Sequence, residues 1–173
     1  MKKIFTLLFC VLFLNQFAQS DKQILDFTKA NYIKLIGNIP EQNVAEFGFT
    51  NKDEIYHLTF TKVIAEYMLV NNIPVKTNNY RVLAVNEKGK TRGLFTVHAE
   101  GTNLQVADYG ASELAKTISC SVAGFDKDAH ISMLRIFNTQ SDYLFDDASA
   151  LQNQKYLKLF ENNFYSLTDI KKD

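Results

Sequence analysis

Apolar residues recur at every second position in three consecutive stretches: Leu83 and Val85, Phe95 and Val97, then Leu104 and Val106. That spacing lines up side chains on one face of a sheet. The connections Asn86–Lys90 and Ala99–Thr102 each hold one glycine, able to take positive φ in a tight turn. The pattern predicts a three-stranded antiparallel meander between Tyr80 and Tyr109. Gly110 ends it, and Ser112 is a candidate N-cap for a helix carrying Leu114, Ala115, Ile118 and Val122 on one side.

Towards the N-terminus, Ile24, Leu25, Phe27, Tyr32, Ile33, Leu35 and Ile36 form a broad apolar face, with Gly37 and Pro40 just beyond; this predicts a helix from Asp21. Thr50 with Asp53 starts a short helix running through His57. Alternation from Val63 to Val70 predicts a strand, broken at Asn71-Asn72-Ile73-Pro74 because proline cannot donate to a ladder. Lys76 to Asn79 reads as a polar connection. After a turn at Asp126-Lys127-Asp128, strands are predicted at Ile131–Phe137 and Tyr143–Phe145. Leu151, Leu157, Phe160 and Phe164 then suit an amphipathic C-terminal helix, with a disordered end at Lys171-Lys172-Asp173. The expected fold class is α+β: a mainly antiparallel sheet of about five or six strands with N- and C-terminal helices.

The first 20 residues change the cellular picture. Lys2 and Lys3 precede an apolar run from Ile4 to Leu14 and a small-residue exit at Ala18-Gln19-Ser20, the layout of a secretory signal peptide cut before Asp21. The run is short of the roughly 20 residues a membrane span needs. Cys10 lies inside it after Phe9 and does not fit a lipidation site. What remains, residues 21–173, has one-domain size. It holds 17 basic and 19 acidic residues, a formal charge of −2, which gives no basic footprint for nucleic acid. Cys120 is its one cysteine, so no internal disulfide forms in an oxidising compartment.

Catalytic motifs are missing from the sequence. Gly110-Ala111-Ser112 lacks the second glycine of a nucleophile elbow. Cys120, near the end of a predicted helix, reads as a packed structural thiol. His57, His98 and His130 are scattered, with no zinc-binding spacing. Asp126, Asp128 and His130 supply cation-ligand types, but the positions for a calcium loop's glycine and terminal acid hold Ile131 and Phe137. A solvated turn is the simpler reading, and Asp146-Asp147 reads as a helix N-terminus. No phosphate loop or dinucleotide fingerprint is present, so neither metal nor cofactor is expected.

Pro40-Glu41, Phe47-Gly48-Phe49 followed by Asp53-Glu54, and Asp108-Tyr109-Gly110-Ala111 with Leu114-Ala115 resemble uncharacterised secreted proteins of the Bacteroidota over about Pro40 to Thr117. The resemblance implies an exported domain and carries no activity, ligand or site residue. The expected function is an exported, periplasmic or secreted, non-enzymatic module that binds a protein or envelope component, an inhibitor or immunity-type protein among the options. One face of the meander would carry Arg81, Arg92, Thr96, His98 and Gln105 outward, with Tyr80 or Tyr109 at its margin. Tyr80, Arg92, His98 and Tyr109 are therefore the candidate binding residues. The competing class is a small periplasmic hydrolase whose Asp and His residues converge only in space. A binding module predicts an exposed apolar or aromatic patch without a deep pocket; a hydrolase predicts a concave site with titratable side chains in contact.

Overall fold

The computed structural model describes residues 19–148 and 154–171. The signal peptide expected at 1–20 lies outside them apart from Gln19 and Ser20, as do Leu151 and the last two residues of the expected disordered end. Helix α1 spans Asp21–Ile36. Its N-cap is Ser20, whose hydroxyl accepts from the Gln23 N–H while the Gln23 side chain accepts from the Ser20 N–H, a capping box that satisfies two donors at the helix start. Short 3-10 turns follow at Glu41–Asn43 and Asp53–His57. Strands β1 (Thr59–Val70), β2 (Ile73–Val85), β3 (Thr91–Glu100) and β4 (Asn103–Gly110) lead into helix α2 (Ser112–Val122). Then come β5 (Ile131–Ile136), β6 (Ser141–Asp146), β7 (Lys155–Lys158), β8 (Asn163–Ser166) and a single-turn helix α3 (Leu167–Ile170).

The eight strands form one open mixed sheet in the order β4-β3-β2-β1-β5-β6-β7-β8. Every neighbouring pair is antiparallel except β1 and β5, which run parallel. The α+β class is as expected, and the central meander is present with the predicted order. The strand count is higher than five or six for two reasons. First, Asn71 and Asn72 both take left-handed φ, 51° and 61°, between the paired residues Val70 and Ile73. They form a two-residue hairpin turn of the type whose twist matches the flanking strands. The expected break is thus the turn itself, and the expected polar connection belongs to β2. Pro74 is tolerated because this part of β2 has no β3 partner, pairing beginning at Asn79.

The second reason lies at the C-terminus, where β7 and β8 replace the expected amphipathic helix. Tyr156 and Leu157 are adjacent and both buried, in different cores on opposite sides of the sheet. Only a strand separates neighbours in that way. Phe160 and Asn162 turn the chain with φ of 68° and 56°, which no helix interior allows, and Phe160 and Phe164 stay exposed. The C-terminal helix that does form is α3, one turn long.

Each sheet face carries a buried core. On one side α1 packs over Val63, Val82, Phe95 and Val97, and α3 closes a second cluster around Leu134, Tyr143 and Phe145. On the other side α2 sets Ala115 and Ile118 against Ile64, Leu83, Leu94, Met133 and Leu144. Two-sided burial explains the uninterrupted buried runs Val82–Val85 and Thr91–Val97, which half-buried alternation would not produce.

Candidate binding surface

The face under α2 is apolar only in part. Two residues further along each strand from its residue in the α2-side core, the chemistry changes: Ile64 gives way to Glu66, Leu83 to Arg81, Leu94 to Thr96, Met133 to Arg135 and Leu144 to Asp142. A period of two keeps these on the same face. Arg81 sends Nε and Nη2 to Glu66 Oε2 at 2.9 and 2.7 Å, and Nη1 to Thr96 Oγ1 at 2.6 Å. Asn79 donates to the second Glu66 oxygen at 3.1 Å, and its own side-chain oxygen lies 2.9 Å from His98 Nδ1. Arg135 grips Asp142 through two bonds of 2.7 and 3.0 Å; those bonds outweigh burial and keep the guanidinium charged. A polar row thus crosses five strands beyond the edge of α2.

Past that row the face turns apolar again and is open. Val70, Ile73 and Val75 are 44%, 59% and 43% exposed, and Phe137 beside them is 61% exposed. Val70 pairs with Ile73 and Val75 with Met68 across the hairpin, and Met68 pairs with Arg135 of β5, so these side chains share the face of the polar row. Phe137 opens the β5–β6 turn two residues after Arg135. The β1–β2 turn residues Asn71 and Asn72 and the β5–β6 turn residues Phe137 and Thr139 line one shallow recess of about 330 Å³, which fixes the two tips as neighbours.

The four residues singled out from the sequence are not gathered on this surface. Tyr80 is buried in the α1-side core, with the Lys76 ammonium 5.2 Å above its ring. Tyr109 is buried too: its ring stacks on Phe49 at 5.3 Å, its hydroxyl donates to the Phe47 carbonyl, and burial pushes its pKa far above the usual phenol value. Arg92 was expected to point outward, but Ala84 pairs with Gly93 and Val85 with Thr91, leaving Arg92 as the extra residue of a β-bulge that aims its side chain into the protein. Of the four, His98 alone is partly open, and it sits at the end of the polar row. Thr96 of the expected outer face is buried, whereas Gln105 is exposed. The sequence reading missed Glu66, the Arg135–Asp142 pair and the apolar tips. A usable signal existed for the tips: apolar alternation, Met68-Val70 and Ile73-Val75, on either side of a two-asparagine turn.

A second cluster lies at the opposite end of β2 and β3. Arg92 donates through Nε to Glu54 Oε1 at 2.7 Å, through Nη2 to Thr50 Oγ1 at 2.9 Å, and through Nη1 to the Gly48 carbonyl. Glu54 also accepts from the Asn86 side chain at 2.6 Å and the Thr50 N–H at 2.7 Å. Burial works to raise the Glu54 pKa, but the bonds from Thr50, Asn86 and Arg92 together hold it below the usual carboxylate range. The adjoining cleft, about 390 Å³, also has His57 within 3.7 Å of Asp53 and 3.6 Å of Glu87. Among the described residues no serine or cysteine lines it, and its Thr50 hydroxyl is engaged by Arg92. Glu54 acts as a hub that ties the loop before β1 to the sheet.

Other expectations fall on simple local structure. Asp126 accepts the Ala129 N–H in a turn, and the backbone N–H of His130 goes to Asp146. Among the described residues, no three His, Cys, Asp or Glu side chains approach closely enough to hold a metal. Cys120 is exposed, not packed as expected, because it lies on the side of α2 opposite the buried Ala115 and Ile118. No helix among the described residues is long and apolar enough to cross a membrane. Comparison with family models, curated proteins and solved structures finds no match to this chain.

Proposed function

We propose that the chain is an exported, non-enzymatic binding module for a protein or envelope component, with the open half of the α2-side sheet face as its recognition surface. One observation carries the reading: Val70, Ile73, Val75 and Phe137 expose apolar area side by side, next to a row of fixed charges. Adjacent exposed apolar side chains rimmed by polar groups suit a partner that excludes water from the apolar part and is oriented by the polar part. The preformed Arg81–Glu66 and Arg135–Asp142 pairs add register without ordering cost, because each guanidinium is already held. Capture of an envelope partner by the immobilised chain should be lost in the double variant Ile73→Asp, Phe137→Asp, with the unfolding midpoint unchanged. Turnover of an ester, peptide or glycan that is abolished by His57→Ala, or by Asp128→Ala with His130→Ala, would establish the hydrolase class instead.

A further inference from the structure

Resting on that binding reading, we infer that the partner of the apolar end is a lipid surface. Three observations converge on it. The first is protrusion. Tyr80 pairs with both Ala65 and Val97; from that level β1 runs five residues to Val70, whose partner is Ile73, and β3 runs three to Glu100, so the β1–β2 hairpin runs past the β3–β4 turn by about 7 Å at 3.3 Å per residue. The β1–β2 hairpin therefore leads this end of the sheet, with Val70, Ile73 and Val75 on one side and Phe137 beside it.

The second is charge. No Asp or Glu stands between Glu66 and Glu87 or between His130 and Asp142, so both tips are free of carboxylates. Lys171 in the recess between the tips brings a cation to the rim, while the Lys76 ammonium of the hairpin sits over the Tyr80 ring on the α1 side. Glu66 and Asp142, the acidic residues that precede the first tip and follow the second, are paired with Arg81 and Arg135; Glu100 ends β3, and Asp169 and Asp173 flank Lys171 in the sequence. Apolar tips with a cationic rim suit the headgroup region of an anionic bilayer, where Ile and Phe leave water and Lys faces lipid phosphate.

The third is the position of Gln19, whose side chain donates to the Gly101 carbonyl in the β3–β4 turn. The chain thus enters the fold at the same end as the tips. The apolar run ends at Leu14, and five residues reach about 17 Å at most. A run held in the export membrane would keep Gln19 within that distance of the bilayer, and a hairpin projecting by about 7 Å narrows the gap. The folded domain would meet lipid with its apolar end first and keep that contact after processing.

The chain has no tryptophan, so Ile73→Trp supplies a single reporter in the processed protein. Its emission should shift to the blue on adding vesicles of phosphatidylethanolamine and phosphatidylglycerol, while Phe47→Trp should not shift. Co-sedimentation of the tryptophan-free protein should fall at least tenfold in Ile73→Asp, Phe137→Asp, with both variants melting as the unaltered chain does. An unshifted Ile73→Trp spectrum, or binding that survives the double aspartate change, overturns the inference. Capture of a protein partner that needs Ile73 and Phe137, without vesicle binding, overturns the lipid assignment and leaves the binding-module reading standing. If the double change affects neither vesicles nor capture, both fail.

Discussion

Replacing Glu54 by alanine tests whether the Glu54–Arg92 pair organises the loop and the start of β3. The two side chains are 10% and 9% exposed, so the change strands a guanidinium that has already lost most of its water. Arg92 would keep only the Thr50 hydroxyl and the Gly48 carbonyl, and Asn86 would lose its acceptor. Breaking a buried pair from one side costs about 3–5 kcal/mol. At roughly 2–4 °C per kcal/mol for a chain of this size, the unfolding midpoint should drop by about 6–20 °C. Arg92→Glu should be at least as damaging, since it sets a second carboxylate against Glu54. Circular dichroism melts at neutral pH measure both, and a drop under about 3 °C for Glu54→Ala would refute the hub role. The pH dependence adds a signed check. The folded pKa of Glu54 lies below its ordinary value of 4.5, so its contribution is fully present above that value and is lost as pH falls through the lower folded pKa. Glu54→Gln should therefore flatten the acid limb of the stability profile and change little in the loss of stability at alkaline pH.

Three further outcomes are expected. Gly93→Ala should lower stability by about 1–3 kcal/mol, because a β-carbon there would stand 2.8 Å from the Tyr109 ring and 2.9 Å from the Gly110 carbonyl; an unchanged melt would mean Tyr109 moves freely. The Cys120 thiol should react with a thiol reagent in the native protein, and Cys120→Ser should shift stability by no more than about 0.5 kcal/mol; labelling only after denaturation would contradict its exposure. Intact mass should show processing before Asp21, and a chain starting at Asp21 should be about 1 kcal/mol less stable than one starting at Gln19, having lost the Ser20 cap. Equal melting of the two would show that α1 needs no cap.

Local pattern was enough for the meander and for the helices that flank it. Leu83, Phe95, Val97 and Leu104 alternate and the glycines stand in the turns, preferences the chain satisfies within a few residues; Ser112, expected as the N-cap of α2, is instead its first helical residue, after an Ala111 N-cap that makes no side-chain bond. The α+β class followed from the same local information. Long-range pairing decided the rest. That β1 lies parallel to β5 is invisible in either strand, since both read as apolar runs with no signal for direction. The bulge that turns Arg92 from an outer face into a buried ion pair depends on how β2 and β3 register, and one residue of slip reverses the side to which a side chain points. At the C-terminus, Leu157, Phe160 and Phe164 sit at helical spacing, yet strand pairing buries Tyr156 and Leu157 on two sides at once, a gain no helix at that edge would match. The candidate surface exists only because five strands place Glu66, Arg81, Thr96, Arg135 and Asp142 in one row. Each is a commonplace polar residue in its own segment, and only the sheet makes them neighbours.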